Sequence, residues 1–190
     1  MNGNQEFGNV SKLAVDIGER LVLDEQGLRD ARNSLDQGAV VPSDGPWRND
    51  IIKLLNDSLA TELVCVLRYK RHHFTAKGLA SAKIAEEFMV HALEETSHAD
   101  QIAERIVQLG GEPDFSPAYL LERSHADYDD SSELMAMIKA NLIAERVAIE
   151  AYTQMIHLIG DKDSTTRRLL ERILSQEQEH ADELSDWMTD

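Results

Sequence analysis

The hexad Glu95-Thr96-Ser97-His98-Ala99-Asp100 recurs as Glu177-Gln178-Glu179-His180-Ala181-Asp182. Each copy follows a lone glutamate: Glu62 lies 33 positions before Glu95, and Glu145 lies 32 before Glu177. Tyr69 and Tyr152 stand seven residues after those lone glutamates. The chain therefore carries two copies of one unit, Glu-x6-Tyr followed by Glu-x-x-His, offset by 82 to 83 positions. On a helix, residues three apart share a face, so Glu95 points with His98 and Glu177 with His180. Glu94 stands at the competing spacing of four from His98, but the second copy has Gln176 at the matching position, which selects Glu95. Four carboxylates and two imidazoles in this pattern are what a helix bundle uses to hold two metal ions between its helices.

Beyond residue 30, proline and glycine fall only at 38–46, 78, 110–117 and 160. Between them, apolar residues recur every three or four positions with little β-branched alternation, as in amphipathic helices. Four helices are predicted, at about 48–75, 81–109, 131–159 and 164–188. Gly110-Gly111 stops the second and Gly160 the third. Short turns around Gly78 and Gly160 flank a long link from Gly111 to Ser131, with room for a short helix at Tyr119–Ser124. Short, long, short connectivity predicts an all-α four-helix bundle with one long crossover, spanning residues 47–190. Residues 1–46 stand apart as an N-terminal extension. There Leu13, Ile17, Leu21, Leu28 and Leu35 suggest a partly helical segment that docks on the bundle or on a neighbouring subunit.

Glu62, Glu95, Glu145 and Glu177 fall on the apolar stripes of their helices, where the period calls for Leu or Ile. An unpaired buried carboxylate costs on the order of several kcal/mol, so each must be paired, protonated or metal-bound. No Lys or Arg stands on a stripe to neutralise them, whereas two divalent cations balance four carboxylates. Glu62, Glu95, His98, Glu145, Glu177 and His180 are therefore the expected ligands. Mixed oxygen and nitrogen donors without thiolate suit iron or manganese better than structural zinc.

Other polar residues near the stripes have two readings each. Tyr69 and Tyr152 either hydrogen-bond the ligating carboxylates or are ordinary buried tyrosines. Asn141 either accepts the free N–H of a ligand histidine or lies on the surface. Cys65 either faces the site or packs as a small apolar residue. His72, His73, His91 and His157 either guide and hold extra iron or are solvated, and Met89, Met135, Met137 and Met155 read as core filler. The net charge of −16 attracts cations and repels a phosphate backbone, which makes electrostatic nucleic-acid binding a poor expectation. A single cysteine excludes an internal disulfide and a Cys-x-x-Cys metal ribbon. No apolar run approaches 18 residues and residues 1–8 carry no signal core, so a cytoplasmic, non-membrane protein is expected.

The stretches LNDSLATELVCVLRYKRH, HALEETSHADQIAERI, NLIAERVAIEAY and LSQEQEHADEL, within 48–188, resemble the bacterioferritin and Dps-like branch of the ferritin-like superfamily. The resemblance implies a ferritin-like bundle with an intrasubunit di-iron ferroxidase centre holding two Fe ions per subunit. It implies bridging roles for Glu95 and Glu177, terminal roles for Glu62 and Glu145, and histidine ligands at His98 and His180. The implied activity is oxidation of Fe(II) by O2 or H2O2, with storage and detoxification of iron in a hollow homo-oligomeric shell. Thr96 stands where bacterioferritins place a haem-ligating methionine, so no haem is expected. Ten residues follow His180, too few to finish that helix and add the short fifth helix of the 24-subunit bacterioferritin shell. The twelve-subunit shell of the Dps-like proteins is favoured instead, with residues 1–46 occupying or sealing subunit contacts. The rival readings are a di-iron peroxidase, a dimanganese catalase, and a DNA-protecting Dps-type protein. A rubrerythrin-type peroxidase usually carries a cysteine-ligated iron that one Cys cannot supply. Acids outnumber Lys12, Arg20, Arg29 and Arg32 in the N-terminal stretch, so direct DNA binding is expected to be weak.

Overall fold

Glycine, proline and capping side chains set the helix ends close to where the spacing predicts them. The computed structural model describes residues 22–33, 35–41, 44–78 and 81–188. Among these, α1 (Glu25–Arg32) is followed by four long helices, α2 (Arg48–Thr75), α3 (Ser81–Gln108), α5 (Leu134–Ile159) and α6 (Ser164–Asp186). A 3-10 turn at Pro117–Tyr119 and the short α4 (Leu120–Arg123) occupy the crossover, where the sequence leaves room for a short helix. At the end of α3, Gly110 takes φ +75°, and the amides of Gly110 and Gly111 return to the carbonyls of Val107 and Ile106 at 2.9 Å. These are the paired bonds of a Schellman cap. A Cβ at position 111 would come within 2.8 Å of Ile52, so the same turn lets the end of α3 close onto α2. The third long helix starts at Leu134 rather than near 131, because the Glu133 carboxylate caps the Ala136 amide at 2.8 Å.

The pairs α2–α3 and α5–α6 are antiparallel hairpins, with α2 against α5 and α3 against α6. Leu55, Leu59, Ile102, Ile106, Ile159, Leu170 and Ile173 fill one end of the bundle. Tyr69, Phe88, Met137, Ile138 and Leu184 fill the other. Met137 and Met155 are core, as expected, whereas Met135 is exposed. The crossover is pinned along α2 by side chains: Asn56 bonds the backbone of Glu112 and Asp114, Thr61 accepts from the His125 amide, and Arg71 donates to the Ser131 carbonyl. This covers a side of α2 that the other bundle helices leave open.

Helix α1 buries no residue, and Leu28 and Leu35 are 51% and 86% exposed. The apolar stripe expected of the extension therefore does not pack on the bundle within the described residues. Leu13, Ile17 and Leu21 lie outside them. Among the described residues, no helix is long and apolar enough to cross a membrane.

Asp163 ties the second hairpin to the first. Its side chain accepts the Thr165 and Thr166 amides at the start of α6, at 3.1 and 2.9 Å. Arg105 of α3 donates to both of its oxygens at 3.1 and 2.9 Å. Asp163→Ala should therefore lower the unfolding free energy by about 2 kcal/mol, through a lost cap and a lost charged hydrogen bond. The measurement is the urea midpoint at unchanged slope. Asp163→Asn, which keeps the capping oxygen, should lose less.

Candidate dinuclear metal centre

The helical period delivers the six expected ligands to one level between the two apolar ends. Glu62 comes from α2, Glu95 and His98 from α3, Glu145 from α5, and Glu177 and His180 from α6. All six are buried, none more than 3% exposed. They form two groups, Glu62, Glu95, His98 and Glu177, and Glu95, Glu145, Glu177 and His180, each with ligand atoms within 4.8 Å of one another. Glu95 and Glu177 belong to both groups. His98 Nδ1 lies 3.0 Å from Glu177, 3.1 Å from Glu95 and 3.5 Å from Glu62. His180 Nδ1 lies 3.5 Å from Glu177, 3.6 Å from Glu95 and 4.0 Å from Glu145.

One proton on a ring nitrogen cannot serve three carboxylates. One oxygen each of Glu62, Glu95 and Glu145, both oxygens of Glu177, and His180 Nδ1 are buried without a hydrogen-bond partner. Glu177 Oε1 is near His98 Nδ1 but out of line with its N–H, which the Glu95 carboxylate engages. Folded proteins rarely leave such atoms unpaired. Six of them at one place, all of ligand type, fit a pair of divalent cations.

The surrounding hydrogen bonds cross between the two sequence copies. Tyr69 of α2 donates to Glu145 of α5, and Tyr152 of α5 donates to Glu62 of α2. His98 Nε2 meets Gln176 Oε1 at 3.2 Å, and His180 Nε2 meets Glu94 Oε2 at 2.8 Å. Each copy thus holds the other copy's expected ligands, and both Nδ1 atoms are left facing the carboxylates. Of the two readings of the tyrosines, hydrogen bonding to the carboxylates is the one realised. Glu94, set aside by spacing, serves His180 rather than His98.

Other expectations are corrected. Asn141 is neither on the surface nor bonded to a ligand histidine: its Oδ1 accepts from Arg68 Nε at 2.7 Å and its Nδ2 lies 3.1 Å from His72 Nδ1. Arg68, off the stripe, is nonetheless fully buried. Its guanidinium also donates to the Asp127 carbonyl at 3.2 Å and to Cys65 Sγ at 3.4 Å, and it lies 5.4 Å from the Tyr69 ring centroid. Spacing missed this cation because the crossover, together with Asn141 of α5, closes over that side of α2. Cys65 packs in the apolar cluster with Tyr69, Phe88 and Ala92. His72 and His91 are buried rather than solvated, His73 is half-buried and His157 exposed.

Burial pushes the Glu62 carboxyl up to about 8, with repulsion from Glu95 adding to it. Burial also lifts Glu145 well above the carboxylate range, with Glu95 and Glu177 adding repulsion. The same burial and mutual carboxylate repulsion act on Glu95 and Glu177, yet the nearness of the His180 and His98 rings leaves both lower than usual. Both rings lose solvent, but carboxylate partners, Glu177 first, hold His98 and His180 far above an ordinary imidazole. The cluster is neutral with two carboxyls, two carboxylates and two imidazolium rings, or with two divalent cations replacing four protons.

The ferritin-like domain family matches residues 52–190. A bacterioferritin of Desulfovibrio desulfuricans is 30% identical over 131 residues, 68% of this chain and 69% of that one. A solved bacterioferritin structure from that species, described by its diiron site in different catalytic states, superposes with TM-score 0.68 at 25% identity over 79% of this chain and 84% of that one. A dodecameric thioferritin, the bacterioferritin-related protein of Bacteroides fragilis, has TM-score 0.72 and 28% identity over 88% of this chain and 94% of that one. A nutrient stress-induced DNA-binding protein of Synechococcus sp. is 31% identical over 144 residues, 70% of this chain and 77% of that one. With two Glu-x6-Tyr, Glu-x-x-His units facing each other across four helices, the chain belongs to the ferritin-like domain family, on its bacterioferritin and Dps-like branch.

Proposed function

We propose that this protein oxidises Fe(II) at the buried centre and stores the ferric product in a hollow homo-oligomer. The observation that carries the reading is the set of six buried, unpartnered ligand atoms shared among four glutamates and a histidine. Glu62 and His98 would hold one ion, Glu145 and His180 the other, with Glu95 and Glu177 bridging, since these two belong to both ligand groups. Two ferrous ions supply two electrons, enough to reduce O2 to H2O2 or H2O2 to water, and manganese suits the same donors.

The chain's own residues prepare that chemistry. Tyr69 and Tyr152 hold one oxygen of each terminal carboxylate and leave the other for a cation. Gln176 and Glu94 fix the ring orientations from outside, the usual requirement of a ligating histidine. Apolar clusters above and below keep bulk water away. The dodecameric relative supports a twelve-subunit shell. Residues 1–46 would cover subunit contacts. The net charge of −16 argues that direct DNA binding is weak despite the name of the Synechococcus relative.

Two experiments test this reading. Replacing Glu95→Ala together with His98→Ala should abolish rapid Fe(II) oxidation while helicity and assembly size stay unchanged; oxidation at the parent rate would end the proposal. Loading the first two Fe(II) ions anaerobically should release close to four protons per subunit at neutral pH, one each from Glu62, Glu145, His98 and His180. Those groups hold protons more tightly than usual, so apparent affinity should tighten as pH rises and weaken as it falls. Calorimetry in buffers of different ionisation heat reads the proton count, and a pH-independent affinity with no release contradicts it.

A further inference from the structure

The two copies of the unit differ at one corner. His91 stands four residues before Glu95, whereas Ile173 stands four before Glu177. In the same register Glu87 corresponds to Leu169, and Glu183, three after His180, to Gln101, three after His98. Leu169 and Ile173 belong to the apolar core. Their counterparts instead gather two carboxylates and an imidazole on α3 and α6, with ligand atoms within 4.8 Å of one another. The cluster lies between the dinuclear centre and solvent. His91 is 1% exposed and its ring stacks on that of His180 at 4.1 Å, while the Glu183 side chain is 53% exposed.

Hydrogen-bond accounting around His91 does not close while its ring is neutral. Tyr69 has one hydroxyl proton and donates it to Glu145. His91 Nδ1 lies 3.1 Å from the same hydroxyl oxygen, so it is the ring that donates in that contact. In this tautomer Nε2 is a bare lone pair, and it faces Glu183 Oε2 at 2.9 Å with Glu87 beside it. A buried acceptor aimed at two acceptors calls for positive charge, which either a second ring proton or a metal cation held by the three side chains supplies. An imidazole with one nitrogen fixed by a hydrogen bond and the other presented with carboxylates is the arrangement of a metal ligand.

We propose that Glu87, His91 and Glu183 form a third divalent-cation site, separate from the dinuclear centre and on its solvent side. One imidazole and two carboxylates, with water completing the shell, select first-row ions such as Mn(II), Fe(II), Co(II) or Zn(II) over Mg(II) and Ca(II). The site does not depend on what the six inner ligands bind or on any redox step.

Zn(II) is a suitable probe because it has no redox chemistry. Crystals equilibrated with Zn(II) and measured at the zinc edge should show an anomalous peak bounded by His91 Nε2 and the Glu87 and Glu183 carboxylates. Calorimetry should count three Zn(II) per subunit. The double variant Glu87→Gln with Glu183→Gln keeps side-chain shape, and it should lose that peak and one equivalent while retaining the inner two. Each ion is located separately, so a failed dinuclear centre would show as missing density among the six inner ligands and leave this site to be judged alone. The proposal is overturned by the absence of a peak at His91 in the parent, or by a peak of equal occupancy in the double variant.

Discussion

Mutual repulsion among four buried carboxylates is the constraint to which the rest of the molecule answers. Each costs on the order of several kcal/mol to bury while ionised, against a total stability of roughly 5–15 kcal/mol for a domain. The bundle tolerates Glu62, Glu95, Glu145 and Glu177 at one level only because positive charge sits among them. Protons on Glu62, Glu145, His98 and His180 supply it, or two divalent cations do. Occupancy of the site and stability of the fold are therefore linked: a ligand that binds only the folded state at a hundred times its dissociation constant adds about 2.7 kcal/mol.

Regular helices make this arrangement geometrically cheap. A residue three positions on shares a face, so one helix delivers both members of each Glu-x-x-His pair without a bend. Apolar clusters at either end, with Leu55, Ile102 and Leu170 on one side and Phe88, Met137 and Leu184 on the other, fix the level at which the polar layer sits. The crossed hydrogen bonds, Tyr69 to Glu145 and Tyr152 to Glu62, then lock the two hairpins to each other through these carboxylates.

The pseudo-twofold pattern breaks where the crossover runs. Thr61, Arg68 and Arg71 of α2 all bond to it, so this helix is enclosed on a side left open on α5. One consequence is a buried chain from Arg68 to Asn141 to His72 and on to Asp129, the last contact at 3.3 Å. It places a fixed guanidinium beside one half of the centre. The other half has Ala151 at the corresponding position. The second break, at Glu87, His91 and Glu183, puts ligand-type side chains where the other copy is apolar.

The sequence alone determined the four helices, the crossover and the six side chains that meet at the candidate centre. Apolar period, glycine stops and i,i+3 spacing are local properties, and the repeat of Glu62 to His98 as Glu145 to His180 shows which acids matter. Tertiary structure decided what lies around them. That Glu94 serves His180, that Arg68 is buried, and that His91 meets Glu183 depend on the height of α3 against α6 and on the path of the crossover over α2. Those are set by packing between residues as many as 92 positions apart, as in His91 and Glu183. A trace was legible, since aligning the copies puts Arg68 opposite Ala151 and His91 opposite Ile173. Which helix each odd residue faces is a long-range property, and local spacing carries no record of it.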